Sequence, residues 1–116
     1  MTKKRVILEM GAGNDLHGGD YSKAACRAVQ DALHHSSLTM IRTLDVSTVD
    51  MYVDVTIGVQ KPDKVDKVVV QTVLPYGTVS VDVVMGGLDV PDEVLGDVAV
   101  IASAALVVRL DLPDRR

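Results

Sequence analysis

The chain has 116 residues, 47% hydrophobic and 24% charged, so it is expected to fold as one soluble domain, residues 1–116. A formal net charge of −4 and an aromatic content of only three tyrosines argue against nucleic acid as a partner. No apolar run is long enough for a bilayer and none has the form of a signal peptide, so we expect a cytoplasmic protein with no membrane partner. The single cysteine, Cys26, excludes an intrachain disulfide.

The first half of the chain predicts a strand, a glycine-rich connection and a helix. "RVILEM" (residues 5–10) is a short apolar run typical of a strand, and it leads into glycines. Between Tyr21 and Leu33 the apolar residues recur at helical spacing, and Asp20 stands where an N-cap carboxylate can accept first-turn amides. Most of this apolar stripe is alanine, so the helix should lie close to the surface it covers. Residues 36–49 receive no assignment.

The second half alternates between strand and helix patterns. Asp50–Gln60 alternates strictly, which predicts a strand with one buried and one polar face. Residues 62–74, with proline in the first turn and valines at i+3/i+4 spacing, predict a helix, with a strand as the competing interpretation. Residues 78–85 alternate again as a third strand. After a Gly/Pro loop over residues 86–97, the last element is apolar at nearly every position and favours a central strand over a helix.

The element order β-α-β-α-β-β predicts an α+β two-layer sandwich. Its four-stranded mixed sheet is expected in the order 1-4-2-3, with both helices on one face. Such a domain leaves the other sheet face uncovered, and the polar and apolar residues mixed there favour self-association. We therefore expect a homo-oligomer.

The stretch "MGAGNDLHGGD" (residues 10–20) invites three functional interpretations. As a phosphate loop it is weak, because the dinucleotide pattern lacks its third glycine and no Gly-Lys-Ser/Thr follows. As a metal site it offers Asp15, His17 and Asp20, but the rest of the ligand set would have to come from elsewhere. We predict no cofactor and no bound metal.

The third interpretation is a metal-free acid/base or polar-ligand site. Imidazole groups in general change charge near neutral pH, and a nearby carboxylate, here Asp15, could fix the tautomer of the ring of His17. The glycine amides could hold an oxyanion or a carboxylate. The predicted substrate-binding residues of the loop are Gly11, Gly13, Asn14 and Gly18. In the competing interpretation, Asp15 and His17 only hydrogen-bond the loop backbone.

Two residues outside the loop are also candidates for substrate binding, from an adjacent strand or subunit. Arg109 is charged within an otherwise apolar strand, so it needs either a carboxylate partner or a bound anion. An intersubunit salt bridge is the alternative for Arg109. Tyr76, in "PYG", could close a pocket or simply pack against the helix end.

"GAGNDLHG" resembles the G-x-G-x-D-x-H-G signature of a small family of bacterial and plant proteins of uncharacterised function. The positions that match are Gly11, Gly13, Asp15, His17 and Gly18. The similarity extends through the first helix, Pro75–Gly77, Gly86–Gly87 and the last strand. It implies no established activity.

The predicted strand order is also similar to the fold of the chorismate mutase and reactive-imine deaminase group. Those proteins are trimers with ligand sites between subunits, which implies a homo-oligomer that is a trimer or larger. A more distant likeness is to one repeat of the ring-opening amidohydrolases, such as cyanuric acid hydrolase and barbiturase. The chain lacks an obvious serine–lysine pair, because the adjacent Ser22 and Lys23 diverge at a helix start. Likeness of fold alone licenses no chemistry.

These patterns predict a small oligomeric enzyme that performs acid/base or hydrolytic chemistry on a polar small molecule. His17 would be the general base or acid, and Asp15 would orient it. The alternatives are a non-enzymatic ligand-binding or scaffold oligomer with a structural loop, and a metal-dependent site at Asp15 and His17.

Overall fold

A computed structural model of the chain describes residues 2–34, 51–74 and 77–112. Within these residues it contains five strands and two α-helices: β1 (Thr2–Asp15), α1 (Tyr21–His34), β2 (Met51–Val59), α2 (Lys67–Gln71), β3 (Thr78–Met85), β4 (Leu88–Asp92) and β5 (Asp97–Leu112). A 3₁₀ turn over Pro62–Lys64 precedes α2. None of the described helices is long and apolar enough to cross a membrane. The unassigned stretch 36–49 lies outside the described residues.

The five strands form one mixed sheet in the order β1-β5-β2-β3, and β4 also pairs with β5. β5 is antiparallel to β1, β2 and β4, whereas β2 and β3 are parallel. The predicted α+β fold with a mixed sheet and two helices is confirmed. The predicted count of four strands is wrong, because the segment assigned to a Gly/Pro loop contains β4. That strand has five residues and includes a proline, so its local sequence resembles a loop.

β1 is longer than its apolar run, and it takes in half of the predicted glycine loop. The strand continues from residue 10 through Gly11 and Gly13 to Asp15, paired throughout with β5. The glycines are required because α1 crosses directly above them. A Cβ atom on Gly13 would lie 2.2 Å from the backbone nitrogen of Ala28, and one on Gly11 would lie 2.4 Å from that of Ala32. Glycine on the strand and alanine on the helix therefore set the close helix–sheet distance.

α1 occupies the predicted span, and the Asp20 cap is present. The Asp20 Oδ1 atom accepts a hydrogen bond from the Lys23 amide at 3.0 Å. The second helix is shorter than predicted, since the valine-rich stretch forms a 3₁₀ turn followed by five α-helical residues. Asp66 caps this short helix by accepting from the Val68 amide at 3.0 Å. The low helix propensity of valine explains why the element does not fill residues 62–74.

The two faces of the sheet differ. Buried residues of β2 and β5 alternate along each strand on the face covered by α1: Met51, Val53, Val55, Ile57, Val100, Ala102, Ala104, Leu106 and Val108. α1 also contacts α2, so both helices lie on this side. The opposite side, here called the open face, carries the alternate residues: Lys3, Arg5, Leu8, Met10, Ala12, Asn14, Tyr52, Asp54, Thr56, Gly58, Ser80, Asp82, Val84, Leu88, Val90, Asp92, Asp97, Ala99, Ile101, Ser103, Ala105, Val107, Arg109 and Asp111.

Candidate functional site

The connection between β1 and α1 is the five-residue segment 16–20. Gly18 and Gly19 have φ angles of +94° and +60°, a backbone region that residues with a Cβ rarely adopt. These two glycines let the chain reverse sharply between the last strand residue, Asp15, and the helix cap. The turn leaves the His17 side chain 80% exposed.

Asp97, the first residue of β5, holds this loop in place. Its Oδ2 atom lies 3.2 Å from the Nδ1 atom of His17, and its Oδ1 atom accepts the Gly18 amide at 2.9 Å. The same Oδ1 also accepts the Val98 amide at 2.8 Å. The carboxylate beside His17 is therefore that of Asp97 and not that of Asp15. Because 80 residues separate the pair in the sequence, no local pattern indicated it.

The charge of Asp97 is well stabilised. Hydrogen bonds from the Gly18 and Val98 amides lower the pKa of Asp97, and the contact with His17 lowers it further. An imidazole whose Nδ1 atom faces a carboxylate is held as the tautomer with its proton on Nδ1. Nε2 is then the ring nitrogen available to a ligand.

The lowered pKa of Asp97 gives a testable dependence of stability on pH. The carboxyl group of Asp97 titrates near pH 4 in the unfolded chain and at a lower pH in the folded protein. The charged carboxylate therefore stabilises the fold above about pH 4. That contribution disappears as the pH falls through the folded-state pKa. Asp97→Asn should therefore be less stable than the wild type at about pH 6, with the difference narrowing towards about pH 2. Urea midpoints across this range provide the measurement, and a difference independent of pH would contradict the prediction.

A groove of about 490 Å³ adjoins the exposed imidazole. Its lining residues are Leu16, His17, Val90, Pro91, Asp92, Glu93, Asp97, Val98 and Ala99. Its walls are thus apolar with three carboxylates, and no lysine or arginine is among the described residues that line it. A neutral or cationic ligand suits this groove better than an anion.

The structure does not bring Asp15 to His17, as the orienting role predicted for Asp15 would require. Asp15 is 4% exposed, and its Oδ2 atom accepts the Asp20 amide at 3.0 Å, which closes the loop on itself. Its Oδ1 atom lies 3.9 Å from Lys23 Nζ and 3.7 Å from Arg27 Nη1. Asp15 is the last residue of β1, and its side chain lies on the face covered by α1. Its carboxylate therefore holds the loop from the helix side of the sheet.

The backbone amides predicted to hold an oxyanion or a carboxylate lie partly in β1 and partly in the segment 16–20. Ala12 donates its amide to Asp31 at 2.9 Å, at the outer edge of β1. Neighbouring amides of a strand point to opposite sides, so those of Gly11 and Gly13 point towards β5. The Asn14 carbonyl accepts from Arg27 at 2.7 Å. Of the backbone amides predicted to hold an oxyanion, that of Gly18 lies beside His17, and it donates a hydrogen bond to Asp97.

Arg109 lies far from this loop within one chain. Its Nε atom donates to Asp54 Oδ2 at 2.9 Å on the open face, and this contact is the main reason that the pKa of Asp54 is lowered. The carboxylate partner expected for Arg109 is therefore supplied by its own chain. Arg109 lies twelve positions after Asp97 in β5, a distance of roughly 40 Å in an extended strand. Tyr76 lies outside the described residues.

A second polar cluster was not predicted. The Tyr21 hydroxyl donates to Asp89 Oδ2, and Tyr21 is only 4% exposed. Burial, followed by the contact with Asp89, raises the pKa of Tyr21 to about 12, so the hydroxyl keeps its proton. The Oδ1 atom of Asp89 is buried without a hydrogen-bond partner among the described residues. Tyr21 belongs to the apolar stripe predicted from the sequence and Asp89 to the predicted loop, and neither pattern indicated the pair.

Within residues 2–34, 51–74 and 77–112, no three His, Cys, Asp or Glu side chains are placed to share a metal ion. Asp15 and His17 in particular point to separate partners. The loop therefore presents a histidine–carboxylate pair beside a groove.

Together, the covered sheet and the loop site define a small α+β protein with a histidine–aspartate pair at one end of its central strand. The chain belongs to the Lin0512 family of conserved hypothetical proteins, whose model matches residues 5–108. Its structure is similar to the 1.22 Å crystal structure of an FtsZ-like protein of unknown function from Nostoc punctiforme. The two are 34% identical with a TM-score of 0.83, covering 97% of this chain and 99% of the other. A search of curated proteins finds no match.

Proposed function

We propose that the chain is an enzyme that performs acid/base chemistry on a small polar molecule, with His17 as the proton-transferring group. The observation that carries this proposal is the 3.2 Å contact between His17 Nδ1 and Asp97 beside an open groove. The residue predicted as catalytic, His17, keeps that role, and Asp97 replaces Asp15 as the group that orients it. The sequence-based expectation of a cytoplasmic protein is part of the proposal.

The chemistry follows from the pairing. With Nδ1 protonated and facing Asp97, Nε2 carries the lone pair that can take a proton from a bound molecule or from water. The imidazolium formed in that step is stabilised by the adjacent carboxylate, and it can then return the proton to a leaving group. Proton abstraction and hydrolysis both use this cycle. The carboxylates around the groove favour substrates that are neutral or cationic.

One observation favours a second candidate, a non-enzymatic ligand-binding or scaffold protein. The Asp97 carboxylate is contacted by two backbone amides and by His17, and Asp15 braces the same loop. In this alternative, the histidine–aspartate contact serves only to fix the loop against the β4–β5 hairpin. A metal-dependent site at Asp15 and His17 has no comparable support, because their side chains have different partners.

A thermal-shift screen distinguishes the two candidates. Wild type, His17→Ala and the control His34→Ala, an exposed histidine at the end of α1, are screened against amines, cyclic amides, nucleobase-like rings, carboxylates and divalent metals. The proposal predicts that a neutral or cationic compound raises the melting temperature of wild type and His34→Ala but not of His17→Ala. Turnover of that compound should fall about 10²- to 10⁴-fold in His17→Ala.

Two outcomes of the screen would contradict an enzyme at this loop. The first is that no compound stabilises the wild type while His17→Ala alone melts at a lower temperature, which supports the structural role. The second is a compound that binds wild type and His17→Ala equally and is turned over at the same rate.

A further inference from the structure

The open face has an apolar middle that is exposed to solvent. Its most exposed apolar side chains come from β1, β3 and β4: Leu8, Met10, Val84, Leu88 and Val90. Between them, β5 and β2 supply small residues, and a shallow trough of about 280 Å³ runs from Met10 to Val84 across Ser103 and Ala105. Contiguous apolar surface of this kind is typical of a protein–protein contact.

Most of the charge on the open face lies towards opposite ends of β5, and Asp82 on β3 lies between the two ends. At the end near residue 110, three basic side chains stand against two acidic ones: Lys3, Arg5 and Arg109 with Asp54 and Asp111. At the other end lie Asp92 and Asp97, which pair across the β4–β5 hairpin, and the adjacent Glu93. One end is therefore net positive and the other is net negative.

We propose that the open face binds the open face of a second copy of this chain, with the two β5 strands antiparallel. Rotation by 180° about an axis across the strands places the basic end of each copy over the acidic end of the other. The apolar middles then meet at the axis. Each copy presents the same patch, as a two-fold interface requires. Aligned packing of two sheets keeps their strand directions within about 30°, which this arrangement allows.

The size of the face fits a stable pair. β5 has 16 residues and is about 50 Å long, and three neighbouring strands make a face about 14 Å wide, or roughly 700 Å². A standard interface covers about 800 Å² per partner. The face is therefore large enough for a dimer that forms without a further component.

The pairing has a consequence for the candidate site, although it does not depend on the chemistry there. The groove at His17 adjoins Val90 and Ala99, which belong to the open face. In the antiparallel pair, Arg109 of the partner subunit lies over this end of the sheet. The pairing predicts an even number of chains, in place of the trimer implied by the likeness of fold.

Sedimentation equilibrium of wild type, Met10→Lys and Val68→Lys tests whether the open face is the interface. Met10 is 71% exposed and pairs with Ala105 near the middle of β5, so the variant brings two like charges together near the axis. Val68 is 67% exposed but lies on α2, on the other side of the sheet, which makes it the matched control. We expect a dimer for wild type and Val68→Lys, and at least a tenfold weaker association for Met10→Lys.

A monomeric wild type would overturn the proposal, as would association that is unchanged in a folded Met10→Lys. Leu88→Lys, at another exposed apolar position of the face, replaces Met10→Lys if that variant does not fold. Because the readout is mass, failure here leaves the proposed chemistry at His17 untouched, and failure of the ligand screen leaves the pairing untouched.

Cysteine cross-linking tests the direction of the pairing. In a Cys26→Ser background, an Arg109→Cys chain and a Glu93→Cys chain are treated with a short bis-maleimide, separately and mixed. Within one chain these positions are too far apart to be joined. The antiparallel pair predicts cross-linked dimers in the mixture and few in either chain alone. Cross-linking of each chain with itself and none between the two would overturn the antiparallel arrangement.

Discussion

Replacing Gly13 with alanine should lower the free energy of unfolding by about 3 kcal/mol. The added Cβ atom would lie 2.2 Å from the Ala28 nitrogen and 2.5 Å from the Ala24 carbonyl oxygen. Both neighbours are backbone atoms of α1, so no side-chain rotation can relieve the overlap. The helix must move away from β1, which opens the packing along its whole alanine face. For a chain of this size, the melting temperature should fall by roughly 10 °C.

Urea unfolding followed by circular dichroism measures this loss, with Gly96→Ala as the control. Gly96 lies in the β4–β5 turn at φ +66°, and a Cβ atom there would meet nothing within 4 Å. Alanine at Gly96 should therefore cost only the backbone strain, about 1 kcal/mol. Equal losses for the two variants would show that helix–strand contact at Gly13 is not the cause.

Tyr21→Phe should destabilise the fold by about 2 to 3 kcal/mol, because it leaves the half-buried carboxylate of Asp89 without its donor. The Tyr21 hydroxyl donates to Asp89 Oδ2, and Asp89 Oδ1 already has no partner among the described residues. Removing the hydroxyl keeps the ring and its packing, so the effect isolates the hydrogen bond. Tyr52→Phe is the control. Lys3 Nζ lies 4.0 Å from the centroid of the Tyr52 ring, and the substitution keeps that ring.

A double-mutant cycle separates the free energy of the lost hydrogen bond from the free-energy cost of leaving the Asp89 carboxylate unpaired. Replacing both partners, as Tyr21→Phe with Asp89→Leu, removes the half-buried carboxylate together with its donor. The double variant should therefore regain much of the stability lost in Tyr21→Phe alone. Additive losses in the double variant would indicate that the hydroxyl and the carboxylate are not coupled.

The elements with strong local periodicity were predicted from the sequence. The helical stripe from Tyr21 with its Asp20 cap became α1, and the alternating stretches became β2 and β3. In these segments the local pattern and the tertiary environment agree. The run of valines after Pro62 had a helical spacing but a poor helix propensity, and the structure keeps only a short helix there.

The elements that were missed depend on partners distant in sequence. β4 forms because it pairs with β5. Its own sequence has five residues and includes a proline, so it gives little indication of a strand. The extension of β1 through Gly11 and Gly13 follows from the helix above them, which no window of the sequence reveals. Local composition indicated a loop, whereas tertiary packing produced a strand.

The sequence predicts a candidate site at the loop that carries His17, but it does not predict the carboxylate that lies beside this histidine. His17 was indicated because it clusters with Asp15 in a glycine-rich loop at the end of a strand. Its partner was assigned to the nearest carboxylate, Asp15, since nearness in sequence was the available criterion. The structure turns Asp15 under the helix and brings Asp97 from the start of β5. Side chains that converge from distant strands can be paired only once the sheet register is known.

The position of β5 in the sheet has a consequence for the order in which the molecule forms. Every strand that β5 pairs with, namely β1, β2 and β4, precedes it in the chain. During synthesis these strands therefore lack their central partner, and β1 can form its strand pairing only once β5 has been made. Such non-local pairing gives a high contact order, for which slow folding is expected. The histidine loop likewise gains its contact with Asp97 only once synthesis has reached β5.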